Sequence, residues 1–302
     1  MAMHDTAPPT EHRSTARLGV TADGDYHLAI GTCEFGNGTT TLLGQVAASV
    51  LETSMSRVHL VQSDTDRTGY DTGAFASTGT TVAGNAVRFA AEALHARILD
   101  FASVHAGVDR DACRLDDDVV SCNGSSISLP DLLAAAEEAG QQLEVVRSAH
   151  GAPRSVAFNV QGLRIAVHRV SGEIVILHSV HAADAGTLIN PMQVRAQVEG
   201  SVAQGLGWAL SERMVFDDGR VVNPTLRNYR IPAFADTPRT EVLFADTHDT
   251  LGPLGAKGMG ECPINPVAPA LANAIHDATG VRFHDLPFTP DRIYRRIFDQ
   301  RR

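Results

Sequence analysis

Aromatic residues are scarce here: one Trp, four Tyr and eleven Phe in 302 residues. Cysteine is scarcer still, limited to Cys33, Cys113, Cys122 and Cys262. No two of them form Cys-x-x-Cys, and their spacings match no zinc or iron–sulfur pattern. The expectation is four free thiols in a reducing compartment. No apolar run approaches the ~20 residues that a membrane-spanning helix needs. The opening MAMHDTAPPTEHRSTAR lacks the apolar core of a secretory signal. Together these features predict a cytoplasmic chain with no membrane span. Basic charge is also short. Twenty-five Lys and Arg against 35 Asp and Glu give a net charge of −10, which argues against nucleic acid as a partner. His-Glu-x-x-His and Gly-x-Ser-x-Gly are absent, and Lys257 is not followed by the Ser or Thr of a P-loop. Asp64, Asp66 and Asp71 lack the glycine and closing glutamate of a calcium loop.

What is present is an ordinary globular composition, 43% hydrophobic and 20% charged, long enough for one large or two ordinary domains. Residues 1–16, polar and carrying Pro8 and Pro9, read as a disordered tail. A first subdomain is expected over 17–141 and a second over 142–302. Asp23-Gly24, Asn123-Gly124, Ser171-Gly172 and Asp218-Gly219 each sit between alternating apolar residues, which marks hairpins. Helical periodicity runs through TTTLLGQVAASVLE, the long TTVAGNAVRFAAEALHARILDFASVHAG, PMQVRAQVEGSVAQGLGWALSE and PVAPALANAIHDATG. Pro130 opens a short helix as well. Strands and helices in this mixture predict an α+β layered architecture.

Three glycine-rich loops precede helical patterns: Gly31 to Gly38, Gly73 to Gly79 and Gly252 to Gly260. Glycine permits close backbone approach to a ligand, and helix-start amides favour an anion. Three such loops converging would suit one phosphate-bearing cofactor. Any one of them alone reads rather as a turn. Glu261 follows Gly258-Met259-Gly260, where little side-chain bulk shields its carboxylate. It suits a general base, and equally an N-terminal cap of the next helix. Gln197, mid-helix among small residues, is either a core amide or a hydrogen-bonding group for a cofactor.

Taken in order, five segments resemble the C-terminal part of the molybdopterin-binding subunit of the xanthine dehydrogenase/aldehyde oxidase family. They are Gly31-Thr32-Cys33-Glu34-Phe35-Gly36-Asn37-Gly38, then Asp64-Thr65-Asp66 through Gly73-Ala74-Phe75-Ala76-Ser77. Asp184 to Pro191 with Gln197-Val198-Glu199-Gly200 comes next, then Asn228-Tyr229-Arg230-Ile231-Pro232. Gly255-Ala256-Lys257-Gly258-Met259-Gly260-Glu261 is the last. The resemblance covers roughly residues 16 to 298. It implies mixed sheets with packed helices, arranged as two α/β subdomains. It implies a molybdenum–molybdopterin cofactor, in the cytosine dinucleotide form, whose dithiolene rather than any side chain holds the metal. Phe35, Gly36, Asn37 and Gly38 are then expected at the cofactor, with Ala76, Ser77, Thr78, Gly79, Gln197, Lys257 and Gly260. Glu261 is expected to be the catalytic base. The implied reaction is oxidation of a C–H bond in an N-heteroaromatic compound, purine or nicotinate-like, or in an aldehyde, with water as the oxygen source. The implied assembly places this chain, resembling the medium molybdopterin subunit of nicotinate dehydrogenases, beside a second molybdopterin subunit. A [2Fe–2S] subunit and, as an option of the family, an FAD subunit complete it. Two departures stand out: Asn37 replaces the usual Gln, and Ala196 a common Gly. A non-catalytic stabilising subunit and a molybdenum-cofactor carrier are the alternative readings.

Overall fold

The protein is described here as a computed structural model covering residues 1–7, 9–151 and 154–299. Its first strand, β1 (Ala2–Thr6), is followed by β2 (Arg13–Val20) and β3 (Tyr26–Ile30). Asp23-Gly24 turns β2 back onto β3 in antiparallel register. Helix α1 (Thr39–Leu51) crosses over to β4 (Val58–Gln62), which joins β3 in parallel. A π-helical turn at Gly79–Ala83 then runs into the long α2 (Gly84–Ala106), which ends on the left-handed Gly107. Helices α1 and α2 bury one face each against the sheet. Leu43, Val46, Leu94 and Ile98 are fully buried there with Leu18, Leu28 and Ile30. Each such side chain contributes roughly 1.5–3 kcal/mol.

A small meander follows: β5 (Cys113–Asp116), β6 (Val119–Cys122) and β7 (Ser125–Ser128). The predicted Asn123-Gly124 turn joins the last two strands, both residues at positive φ as such tight turns require. Cys113 and Cys122 lie directly opposite each other in the β5–β6 register and form a disulfide. That corrects the expectation of four free thiols. Cys262 is buried and free, and Cys33 is exposed and free. Helix α3 (Leu129–Glu138) starts on Ser128, whose hydroxyl accepts the Asp131 N–H.

Strand β8 (Glu144–His150) returns to the first sheet and completes the order β4-β3-β2-β8. The boundary expected at 142 therefore falls too early, because β8 pairs with β2 over Glu144 to His150. Strands β9 (Ser155–Val167) and β10 (Ile174–Ala183) form the predicted long hairpin around Ser171-Gly172. Helix α4 (Pro191–Leu210) follows, with a two-strand ribbon of β11 (Phe216–Asp217) and β12 (Arg220–Val221) and the single turn α5 (Leu226–Tyr229). Strand β13 (Thr240–Phe244) pairs in parallel with β10. The second sheet has the order β1-β9-β10-β13.

The disordered tail expected over 1–16 is corrected by two strands. Residues Ala2 to Thr6 pair antiparallel with β9, and β2 begins at Arg13. Backbone pairing to an existing sheet edge orders this polar segment, which no apolar alternation announced. Helices α6 (Val267–Thr279) and α7 (Pro290–Asp299) pack with α4 on the second sheet. Val202, Leu206, Val267, Leu271, Ile275 and Ile293 form that core. Gly280 ends α6 in the left-handed conformation, as predicted.

Candidate cofactor site

Between the two layered halves lies a cleft with about 1120 Å³ of empty space, part of it open to solvent. One wall comes from the α1 entry loop (Phe35, Asn37, Thr39), and a second from the loop before α2 (Ala74 to Ser77, Gly79, Thr80). The third comes from the second half: Ala185 to Gln197 around the start of α4, and Ala256 to Glu261. Of the predicted site residues, Phe35, Asn37, Ala76, Ser77, Gly79, Gln197, Lys257, Gly260 and Glu261 all line it. Gly36 reaches it through its carbonyl, which accepts the Gln197 Nε2 hydrogen at 3.2 Å. Gln197 is thus a cleft amide and not a core one. Gly38 and Thr78 do not line the cleft. Gly38 has φ +81°, and a Cβ there would stand 2.8 Å from Gln193 Oε1, so it keeps α1 close to α4. Thr78 is fully buried, and its hydroxyl donates to the Phe75 carbonyl at 2.7 Å.

Glu261 decides between its two readings. It precedes a short 3-10 turn without capping it through its side chain. Instead its Oε2 accepts the Ser77 hydroxyl at 3.0 Å, and its N–H donates to Ser77 Oγ at 2.9 Å. The carboxylate is exposed at the cleft wall in this chain. The supporting loop is tightly built. A Cβ at Gly258 would stand 2.1 Å from the Ser77 carbonyl oxygen, so only glycine lets the two loops meet.

Lys257, the only lysine in the chain, was expected at the cofactor. Its stem borders the cleft, but its ammonium points elsewhere. Nζ donates to Asp184 Oδ2 at 2.6 Å and to the Val156 carbonyl at 3.0 Å. The two side chains are 14% and 8% exposed. Burial pushes the Asp184 carboxyl up, but hydrogen bonds from Lys257 and Thr247 outweigh this and hold it below the usual range. The charge of Lys257 is therefore spent on fastening the 255–261 loop to the end of β10.

Helix α1 also departs from expectation. Its entry amides are one of the three loop candidates for an anion, and the protein supplies the anion itself. Glu34 accepts the N–H groups of Gly36 at 2.6 Å, Gly38 at 3.0 Å and Thr40 at 3.0 Å. Partial burial raises its carboxyl, and these three backbone donors more than reverse the effect, so it sits below the usual range. Sequence reasoning quoted Glu34 only as part of a motif. An acid just before a glycine-rich helix start was the signal available. Asn37 likewise turns inward, its Oδ1 accepting the Thr39 N–H at 3.3 Å. Asp71 is tied to β2 and the first loop, accepting from Ser14 at 2.5 Å and Thr32 at 2.7 Å. Among the described residues no group of three His, Cys, Asp or Glu side chains is placed to hold a metal ion. No helix among them is long and apolar enough to cross a membrane.

Comparison with known proteins bears on what this cleft is for. A putative xanthine dehydrogenase molybdenum-binding subunit of Escherichia coli K12 is 34% identical over 291 residues, 92% of this chain and 38% of that protein. The gamma subunit of the 6-hydroxypseudooxynicotine dehydrogenase complex of Paenarthrobacter nicotinovorans is 29% identical, over 93% of this chain and 37% of its own length. Among solved structures, quinoline 2-oxidoreductase of Pseudomonas putida 86 superposes with a TM-score of 0.90 at 26% identity. It does so over 98% of this chain and 41% of the other. The chain thus spans about two fifths of the length of the relatives it matches. The mixed-sheet α+β architecture is the one found in that structure. Residues 1–238 match the molybdopterin cofactor-binding domain, and the chain belongs to that family.

Proposed function

We propose that this chain forms part of the molybdopterin-binding portion of a molybdenum hydroxylase. The reaction is oxidation of a C–H bond in an N-heteroaromatic or aldehyde substrate, with oxygen taken from water. The observation that carries this reading is the exposed Glu261 carboxylate, fixed by Ser77 beside Gly260 and facing the cleft with Gln197. The lining suits a flat, polar-edged cofactor. Ala74, Ala76, Gly79 and Gly260 offer little bulk, while Gln193, Gln197 and Thr80 offer amides and a hydroxyl. When bound, the molybdenum group supplies the two-electron oxidant and the water-derived oxygen. Phe35 stands 64% exposed at the rim and covers one edge. Gln197 gives its N–H to the Gly36 carbonyl, which leaves its Oε1 to accept a hydrogen from the cofactor. Glu261 accepts the proton that water loses as it becomes the nucleophile.

Names of relatives support the substrate class: xanthine and quinoline are both nitrogen heteroaromatics. A second molybdopterin polypeptide that completes the cleft belongs to the same proposal. A [2Fe–2S] subunit, with an FAD subunit as an option, then carries electrons away. The cytosine dinucleotide form of the cofactor and a cytoplasmic location belong to the same proposal. In the assembled enzyme, Glu261→Gln lowers turnover at least roughly 100-fold while molybdenum per enzyme stays constant. Metal analysis with steady-state kinetics checks this. Undiminished turnover in that variant removes the base assignment and leaves the stabilising or carrier readings.

A further inference from the structure

Two loops 184 residues apart meet at one hydroxyl. Ser77 Oγ accepts the main-chain N–H of Glu261 and donates to Oε2 of the same residue. It therefore fixes both the backbone and the carboxylate of Glu261. Its own backbone is unusual. Ala76 and Ser77 stand consecutively at φ +54° and +60°, a region non-glycine residues rarely enter. Such conformations persist only where the surroundings impose them. Here His12 stacks on Phe75 at 4.8 Å and its Nε2 lies 2.8 Å from the Gly73 carbonyl oxygen, which pins the loop from below. The Ser77 carbonyl fills the space that a Cβ at Gly258 would need. Glu261 Oε1 makes no hydrogen bond among the described residues.

We infer that Ser77 is the positioning residue of Glu261: its hydroxyl occupies Oε2 and leaves Oε1 as the oxygen that takes up a proton in the cleft. The hydrogen bonds stand on their own, and the meaning given to Oε1 rests on the proposed function. This moves Ser77 from a cofactor contact to a support for the carboxylate.

Ser77→Gly is the discriminating variant, since glycine suits a φ of +60° and the change removes the hydroxymethyl group without adding backbone strain. Ser77→Ala removes the same hydroxyl while keeping the backbone demand. In the full chain alone, amide hydrogen exchange at Glu261 rises about tenfold or more in both variants, the scale of one lost hydrogen bond of this kind. In the assembled holoenzyme, kcat falls about tenfold with KM and molybdenum content unchanged. The assay uses whichever of xanthine, quinoline and benzaldehyde the enzyme turns over. If none is turned over, the exchange measurement decides. Unchanged Glu261 exchange in Ser77→Gly overturns the inference. So does lost molybdenum with unchanged kcat per molybdenum, which makes Ser77 a cofactor ligand. Full turnover by Glu261→Gln counts against the proposed function itself. An inactive Glu261→Gln beside a fully active Ser77→Gly counts against Ser77 alone.

Discussion

A single ammonium group shows how far residue chemistry can be read from a chain. Lys257 stands in a glycine-rich loop, and resemblance placed it at the cofactor. Its partner Asp184 lies 73 positions earlier and carries no local signal that they meet. Periodicity says nothing about such long-range pairs. Only the fold, which bridges Gly186 to Ala256, brings them together. Because Lys257 is the only lysine, amine chemistry isolates it. Acetylation with mass-spectrometric mapping is expected to label the N-terminus readily and Lys257 slowly, with Asp184→Asn making Lys257 reactive. Equal labelling rates in the native chain contradict the buried pair. Lys257→Met strands a buried carboxylate and costs about 3 kcal/mol, measured by urea unfolding. The sign with pH follows from the depressed Asp184 carboxyl. Its contribution is fully present above its unfolded value near pH 4 and is lost as pH falls further. Lys257→Met therefore loses most of its deficit relative to the native chain under strongly acidic conditions.

Elements were legible in proportion to their pattern. Helices α1, α2, α4 and α6 and the β9–β10 hairpin followed from periodicity and from turn residues whose positive φ the structure requires. Strand β1 did not, because AMHDT has no alternating apolar face and its order comes from pairing with β9. The Cys113–Cys122 bridge was hidden for a similar reason, since it depends on the β5–β6 register and not on spacing. Strand β1 also touches the site: the Thr6 hydroxyl donates to the Gly258 carbonyl at 3.1 Å in a buried position. Removing residues 1–7 therefore has a defined consequence. Stability falls by roughly 2 kcal/mol, and the 252–262 loop becomes susceptible to limited proteolysis. Thermal unfolding and peptide mapping check both. A segment that merely trails from the fold changes neither on removal.

At the scale of the molecule, the cleft is a seam. The first sheet and its helices contribute Phe35, Asn37 and the 74–80 loop, and the second contributes Gln197 and the 256–261 loop. Their meeting was legible only through the order of the motifs, because composition and periodicity describe each half separately. The charges within the cleft are largely settled. Lys257 is neutralised by Asp184, and Glu34 fills the entry of α1. Among the described lining residues this leaves Glu261 as the one charged group without an oppositely charged partner. A cofactor bearing phosphate gains little electrostatic attraction from such walls, so its hold must come from hydrogen bonds and from enclosure. Enclosure is incomplete among the described residues, since the cleft opens to solvent. The chain expressed by itself is accordingly expected to purify folded, with well under one molybdenum per chain. Co-expression with the second molybdopterin polypeptide proposed above is expected to raise the content toward one. Full metal loading of the lone chain shows that these walls suffice and that no second polypeptide closes the site.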